Sequence, residues 1–143
     1  MRDSTISEMR LALVPHERAA ARVLLVEDNP ALATGTAEAL AHLGNQVDWQ
    51  ASARAAYDAL ARPNAYTAVV LDLGLGDCDG VTLIQALRAH GHRLPPIVVL
   101  SAWPSDALRH AVQAIGATAG LQKPCSLTML ENALRVAQDA DRD

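Results

Sequence analysis

The stretch Arg22-Val23-Leu24-Leu25-Val26-Glu27-Asp28-Asn29-Pro30 decides the fold. Four apolar residues in a row, with no polar alternation, predict a strand buried on both faces rather than one with a wet side. The run then breaks into two carboxylates, an asparagine and a proline, so the strand ends in a polar loop. The same pattern returns at Ala65 to Leu71, which runs into Asp72, and at Ile97-Val98-Val99-Leu100, which runs into Ser101. Fainter strands are predicted over Val47 to Gln50 and over Ala119 to Gln122, the second leading into Lys123-Pro124.

Helical patterns fill the gaps. Leu32, Thr36, Leu40 and Leu43 recur at helical spacing before Gly44-Asn45, and an alanine-rich segment from Ala53 to Arg62 stops at Pro63. Asp79-Gly80 opens a third helix carrying Val81, Ile84, Leu87 and Arg88. A fourth, from Ser105 to Ile115, places Leu108, Val112 and Ile115 on one face and ends at Gly116. Ser126 reads as the N-cap of a last helix with Leu127, Leu130, Leu134 and Val136. Five buried strands alternating with five helices predict an α/β protein, a doubly wound three-layer sandwich around a five-stranded parallel sheet.

Composition sets the limits. The chain has 143 residues, 50% of them hydrophobic and 20% charged, which suits one domain with a real core and argues against disorder. No apolar run reaches the length of a membrane span. Charges at Arg2, Asp3, Glu8, Arg10, Glu17 and Arg18 argue against a secretory leader. The expected organisation is a partly ordered extension over residues 1–21, a domain over 22–137 and an acidic tail over 138–143. A net charge of −4 with scattered arginines gives this domain no reason to bind nucleic acid or membrane. Cys78 and Cys125 have no ligand-like spacing and are read as packed thiols of a reduced, cytoplasmic protein.

Ligands of such sheets bind beyond the carboxyl ends of the strands, near the switch in strand order. Glu27, Asp28, Asp72, Ser101 and Lys123 all fall at that edge. Clustered carboxylates disfavour one another's ionisation unless a cation compensates, and an oxygen-only cluster favours Mg²⁺ over softer metals. Lys123 is the only lysine among 12 basic residues, a compact ammonium suited to a point contact with a phosphoryl group. Asp72 reads as a nucleophile or as a further metal ligand, and a carboxylate nucleophile forms an acyl phosphate.

From Arg22 to Val136 the chain resembles the response-regulator receiver domain, the phosphoacceptor module of two-component signalling. The resemblance is carried by Val23-Leu24-Leu25-Val26-Glu27-Asp28-Asn29, Val69-Val70-Leu71-Asp72-Leu73, Asp79-Gly80, Ile97-Val98-Val99-Leu100-Ser101-Ala102, Gly116-Ala117 and Lys123-Pro124. It implies a flavodoxin-like sheet of strand order 2-1-3-4-5. It also implies that Asp72 accepts a phosphoryl group from a sensor histidine kinase or a histidine phosphotransfer protein. Mg²⁺ would be held by Glu27, Asp28, Asp72 and the backbone carbonyl of Gly74, with Ser101 hydrogen-bonded and Lys123 ion-paired to the phosphoryl group. Output would pass to a target protein or a homodimer through the face carrying Leu108, Arg109, Val112, Ala119, Leu121, Leu130 and Leu134.

The chain departs from the family pattern at four places. Gly76 stands where the family usually has proline, and Gly74 lacks a side chain that often influences autodephosphorylation. Cys125 replaces an aromatic after Lys-Pro. Gly120 stands where a tyrosine or phenylalanine commonly moves inward during activation, and Trp103 is the aromatic nearest Ser101 in sequence. Two further readings follow: a module that binds partners without phosphorylation, and the receiver of a larger DNA-binding regulator. A Mg²⁺-dependent phosphatase needs a substrate-enclosing cap for which this length leaves no room.

Overall fold

The computed structural model describes residues 21–142; the expected N-terminal extension lies almost entirely outside the described residues, as does Asp143. Five strands form one sheet: β1 (Arg22–Val26), β2 (Gln46–Gln50), β3 (Ala68–Leu71), β4 (Ile97–Ser101) and β5 (Ala119–Gln122). Their order is β2-β1-β3-β4-β5 and every pairing is parallel. Chain direction across the sheet therefore reverses between β1 and β3, which makes their carboxyl ends the switch point.

The alternating side chains of the strands separate two cores. Leu24, Val26, Val69, Leu71, Ile97 and Val99 face α2 (Ala53–Ala61), α3 (Gly80–Ala89) and α4 (Ser105–Ile115). Val23, Leu25, Ala68, Val70, Val98, Leu100 and Leu121 face α1 (Pro30–His42) and α5 (Leu127–Arg142). Apart from the half-buried Arg22 that opens β1, the three central strands are buried along their length, which is why their sequences read as apolar runs.

Caps place the helices. Asn29, Ser52, Asp79 and Ser126 each accept a backbone N–H of the first helical turn, from Leu32, Ala55, Thr82 and Met129 in that order. At the opposite end of α4, the Arg88 guanidinium of α3 donates to the Ile115 carbonyl, tying the two helices together.

Several boundaries and faces differ from the sequence expectation. The third strand begins at Ala68 rather than Ala65, because Tyr66 N–H is taken by the Asn64 side chain and Thr67 N–H by the Arg22 carbonyl. On α1 it is Ala33, not Leu32, that turns inward with Leu40, and Leu32 is 48% exposed. On α5 the buried stripe is Leu130, Ala133, Leu134 and Ala137, while Leu127 and Val136 are exposed. Both shifts have one cause: small alanines let a helix approach the sheet closely, and they carry no hydropathy signal to compete with a neighbouring leucine. The last helix runs on to Arg142, through most of the expected acidic tail.

Candidate functional site

The parallel ladder delivers the polar residues one step beyond the strands. Glu27 N–H donates to Gln50 O at 3.1 Å, Asp72 N–H to Val26 O at 3.0 Å and Lys123 N–H to Ser101 O at 2.8 Å. These bonds fix the backbones from which the side chains project. Lys123 Nζ lies 2.6 Å from Glu27 Oε1 and 3.6 Å from Asp72 Oδ2. The second oxygen of each carboxylate is held by a backbone N–H: Glu27 Oε2 by Asn29 and Asp72 Oδ1 by Gly74, both at 3.2 Å. One ammonium thus bridges two carboxylates whose outer oxygens are fixed by the loops that follow β1 and β3.

Asp28 completes the cluster from the exposed side. Carboxylate oxygens of Glu27, Asp28 and Asp72 lie within 4.8 Å of one another. Burial pushes the Glu27 carboxyl above its usual range, opposed by the Lys123 ammonium and the Asn29 N–H and reinforced by the charge on Asp72. When all are ionised, three carboxylates against one ammonium leave two negative charges. Such a donor set suits a hard divalent cation: it offers oxygens only, Asp28 opens to solvent, and a +2 ion balances the charge.

The loop after β3 is held close by Gly80. A Cβ at this residue would meet the Asp72 carbonyl at 3.0 Å and Leu73 Cα at 3.1 Å, so the start of α3 packs on the backbone of the carboxylate itself. Gly76 leaves room beside Asp28, whose Oδ2 would lie 3.6 Å from a Cβ there. Ser101 is fully buried, and its Oγ accepts the Trp103 N–H at 3.1 Å.

Glu27, Asp28, Asp72 and Lys123 come together as expected, and Ser101 ends β4 at the same edge of the sheet with its hydroxyl taken by Trp103 N–H. Three supporting residues carried no recognisable sequence signal. Trp49, 42% exposed on the edge strand, donates its indole N–H to the Glu27 carbonyl at 2.7 Å. Asp77 accepts from Ala53 and Arg54 N–H at the start of α2, and these bonds hold its carboxyl below the usual range. Gln122 donates its side-chain amide to the Trp103 carbonyl at 3.0 Å. Each acts across at least nineteen positions of sequence, where no local pattern reaches.

The expected output face is mostly core. Leu108, Leu121, Leu130 and Leu134 are buried, Val112 and Ala119 are half-buried, and of the seven residues only Arg109 is freely exposed. Exposed apolar surface lies instead beside the acidic cluster. A groove between α1 and the start of α5 is lined by Leu32, Thr36, Ala39, Pro124 and Leu127, with Lys123 at its edge. Among the described residues no helix is long and apolar enough to cross a membrane.

A doubly wound sheet with an acidic cluster and a lone lysine at its switch point defines a class, and residues 23–135 match the model of the response regulator receiver domain. The chain belongs to that family. It is 36% identical over 114 residues to the transcriptional regulatory protein PmrA of Pectobacterium parmentieri, a match covering 80% of this chain and 50% of that protein. Among solved structures it resembles a sensor protein from Polaromonas sp. JS666, with 34% identity and a TM-score of 0.76 over 85% of this chain and 98% of that one. A CheY-like receiver domain from Methylobacillus flagellatus gives 31% identity and a TM-score of 0.71 over 82% and 98%. The chain spans about half the length of PmrA and of other curated transcriptional regulators that it matches.

Proposed function

We propose that this receiver domain accepts a phosphoryl group on Asp72 from a histidine kinase or a histidine phosphotransfer protein. The supporting observation is the bridged pair at the switch point, with Lys123 between Glu27 and Asp72 and Asp28 alongside. In the transfer, an Asp72 oxygen forms a P–O bond as the P–N bond of the donor breaks, and the electron pair leaves on the imidazole. Glu27, Asp28, Asp72 and the Gly74 carbonyl would hold Mg²⁺, which would supply charge neutralisation for the phosphoryl oxygens. Lys123 ion-pairs with one of those oxygens and Ser101 hydrogen-bonds another. The hydrogen bond from Gly74 N–H to Asp72 Oδ1 holds the carboxylate, favouring attack through the oxygen facing Lys123.

The test is incubation with acetyl phosphate, with and without Mg²⁺, followed by intact mass beside Asp72→Asn. A phosphoryl adduct on the wild type only, dependent on Mg²⁺, is the expected result. A folded protein with no adduct under any condition would instead favour a module that binds partners constitutively.

A macromolecular donor must also seat itself near Asp72, and the groove beside Lys123 offers the exposed apolar contact. Leu32→Glu should lower the rate of transfer from the cognate phosphohistidine donor about tenfold, equivalent to about 1.4 kcal/mol of lost contact. Phosphorylation by acetyl phosphate should keep its wild-type rate, since that donor needs no groove. Equal losses with both donors would place Leu32 in folding rather than docking.

A further inference from the structure

Two glycines redistribute the space around the acidic cluster. At Gly120 an added Cβ would fall 2.5 Å from Val112 Cγ2 and 3.3 Å from Leu108 Cδ1, so side chains of α4 already fill the place where a β5 side chain would start. At Gly74 the space is open, and Trp103 occupies its rim: the indole Nε1 lies 3.7 Å from where a Cβ would stand. Trp103 also packs against the core beneath α2, α3 and α4. The aromatic ring beside Gly74 therefore belongs to the β4–α4 loop and not to β5.

That loop is fastened at both ends. Trp103 N–H donates to Ser101 Oγ at 3.1 Å, and Trp103 O accepts from the Gln122 amide at 3.0 Å. The Gln122 oxygen in turn accepts from the hydroxyl of Ser105, the first residue of α4, at 3.4 Å. Pro104, at the N-cap of α4, supplies no side-chain cap, so Gln122 is a main tether of that helix end. A continuous series of contacts runs from Ser101 through Trp103 and Gln122 to the first turn of α4.

We propose that Trp103 is the positioning residue that carries the phosphoryl state from Ser101 to the N-terminus of α4. This rests on the phosphoacceptor reading of Asp72. Among the described residues, Ser101 Oγ makes no hydrogen bond to Asp72. In this proposal, drawing the hydroxyl onto a phosphoryl oxygen there shifts Oγ and stretches the hydrogen bond it accepts from Trp103 N–H. The loop relieves that stretch by moving, the indole slides over Gly74, and the Trp103 carbonyl pulls on Gln122 and so on Ser105. Two arrangements of one loop are thereby coupled to the occupancy of Asp72.

The experiment uses the full chain labelled with 5-fluorotryptophan, whose two ¹⁹F resonances are assigned with Trp49→Phe and Trp103→Phe. Acetyl phosphate and Mg²⁺ are added, and intact mass on the same sample gives the adduct fraction. The Trp103 resonance is expected to shift in proportion to that fraction, and amide exchange over Ser105 to Arg109 to change several-fold. In Gln122→Ala the Trp103 resonance should still respond, while the exchange response of α4 falls below half. An adduct with an unmoved Trp103 resonance overturns the proposal, as does an undiminished α4 response in Gln122→Ala. Absence of any adduct on the wild type removes the phosphoacceptor reading itself, and the mass measurement distinguishes that failure from the other two.

Discussion

Alanine at Lys123 is expected to slow phosphorylation of Asp72 by acetyl phosphate by about 100-fold or more, the usual effect of deleting one preorganised charge partner of a transition state. The ammonium is well shielded: its side chain is 18% exposed and that of Glu27 only 4%. At such depth an ion pair is screened little by solvent or salt. Its loss leaves Glu27 with a single backbone N–H and removes the chief influence that holds its carboxyl down against burial. Binding of Mg²⁺ should move the other way. Lys123 and a divalent cation compete for the same oxygens and repel one another, so Lys123→Ala should bind Mg²⁺ more tightly while reacting more slowly. A Mg²⁺ titration followed by tryptophan emission and a time course of intact mass measure the two effects separately. Loss of both together would indicate a collapsed site, and wild-type kinetics would remove Lys123 from the reaction. Lys123→Arg keeps the charge but spreads it over a planar fork, and should recover only a small part of the rate.

Sequence and structure agree where information is local. Val23 to Val26, Val69 to Leu71 and Val98 to Leu100 are legible as central strands because burial on both faces leaves nothing but apolar residues to choose. The site residues are legible for a related reason: a carboxylate, hydroxyl or ammonium just past such a run is a departure that the strand does not require. Legibility is lost where two small residues share a contact. Ala33 and Ala137 are buried against the sheet, at 1% and 0% exposure, yet Leu32 and Val136 dominate any hydropathy reading of the same turns. It is lost again at long range. Trp49 buttressing Glu27 and Gln122 bracing Trp103 depend on strand order, which no residue near either one states. Gly120 combines both difficulties. The sequence records that an aromatic is absent there, but only the packing of α4 shows that its place is already filled.

Gly120→Phe is therefore expected to destabilise the protein by about 3 kcal/mol, at the upper end of the usual cost of overpacking a core. The clash begins at Cβ, 2.5 Å from Val112 Cγ2, before any ring is added, so no rotamer of the new side chain avoids it. Gly120→Ala isolates that first contact. In an ordinary strand interior the alanine would gain about 0.5–1 kcal/mol over glycine by restricting the unfolded chain; here it should lose about 1–2 kcal/mol, so the sign itself is informative. Val112→Ala removes the methyl that the new Cβ meets. In the double variants it should recover more than half of each loss, a coupling of about 1–2 kcal/mol between residues in contact. Urea unfolding of the three single and two double variants at constant m-value measures this. A neutral or stabilising Gly120→Ala would mean that Val112 rotates away freely and that α4 does not close this position. If the clash is as described, an aromatic at residue 120 forces α4 off the sheet rather than installing an inward-moving ring. That result would accord with the proposed route through the loop that carries Trp103.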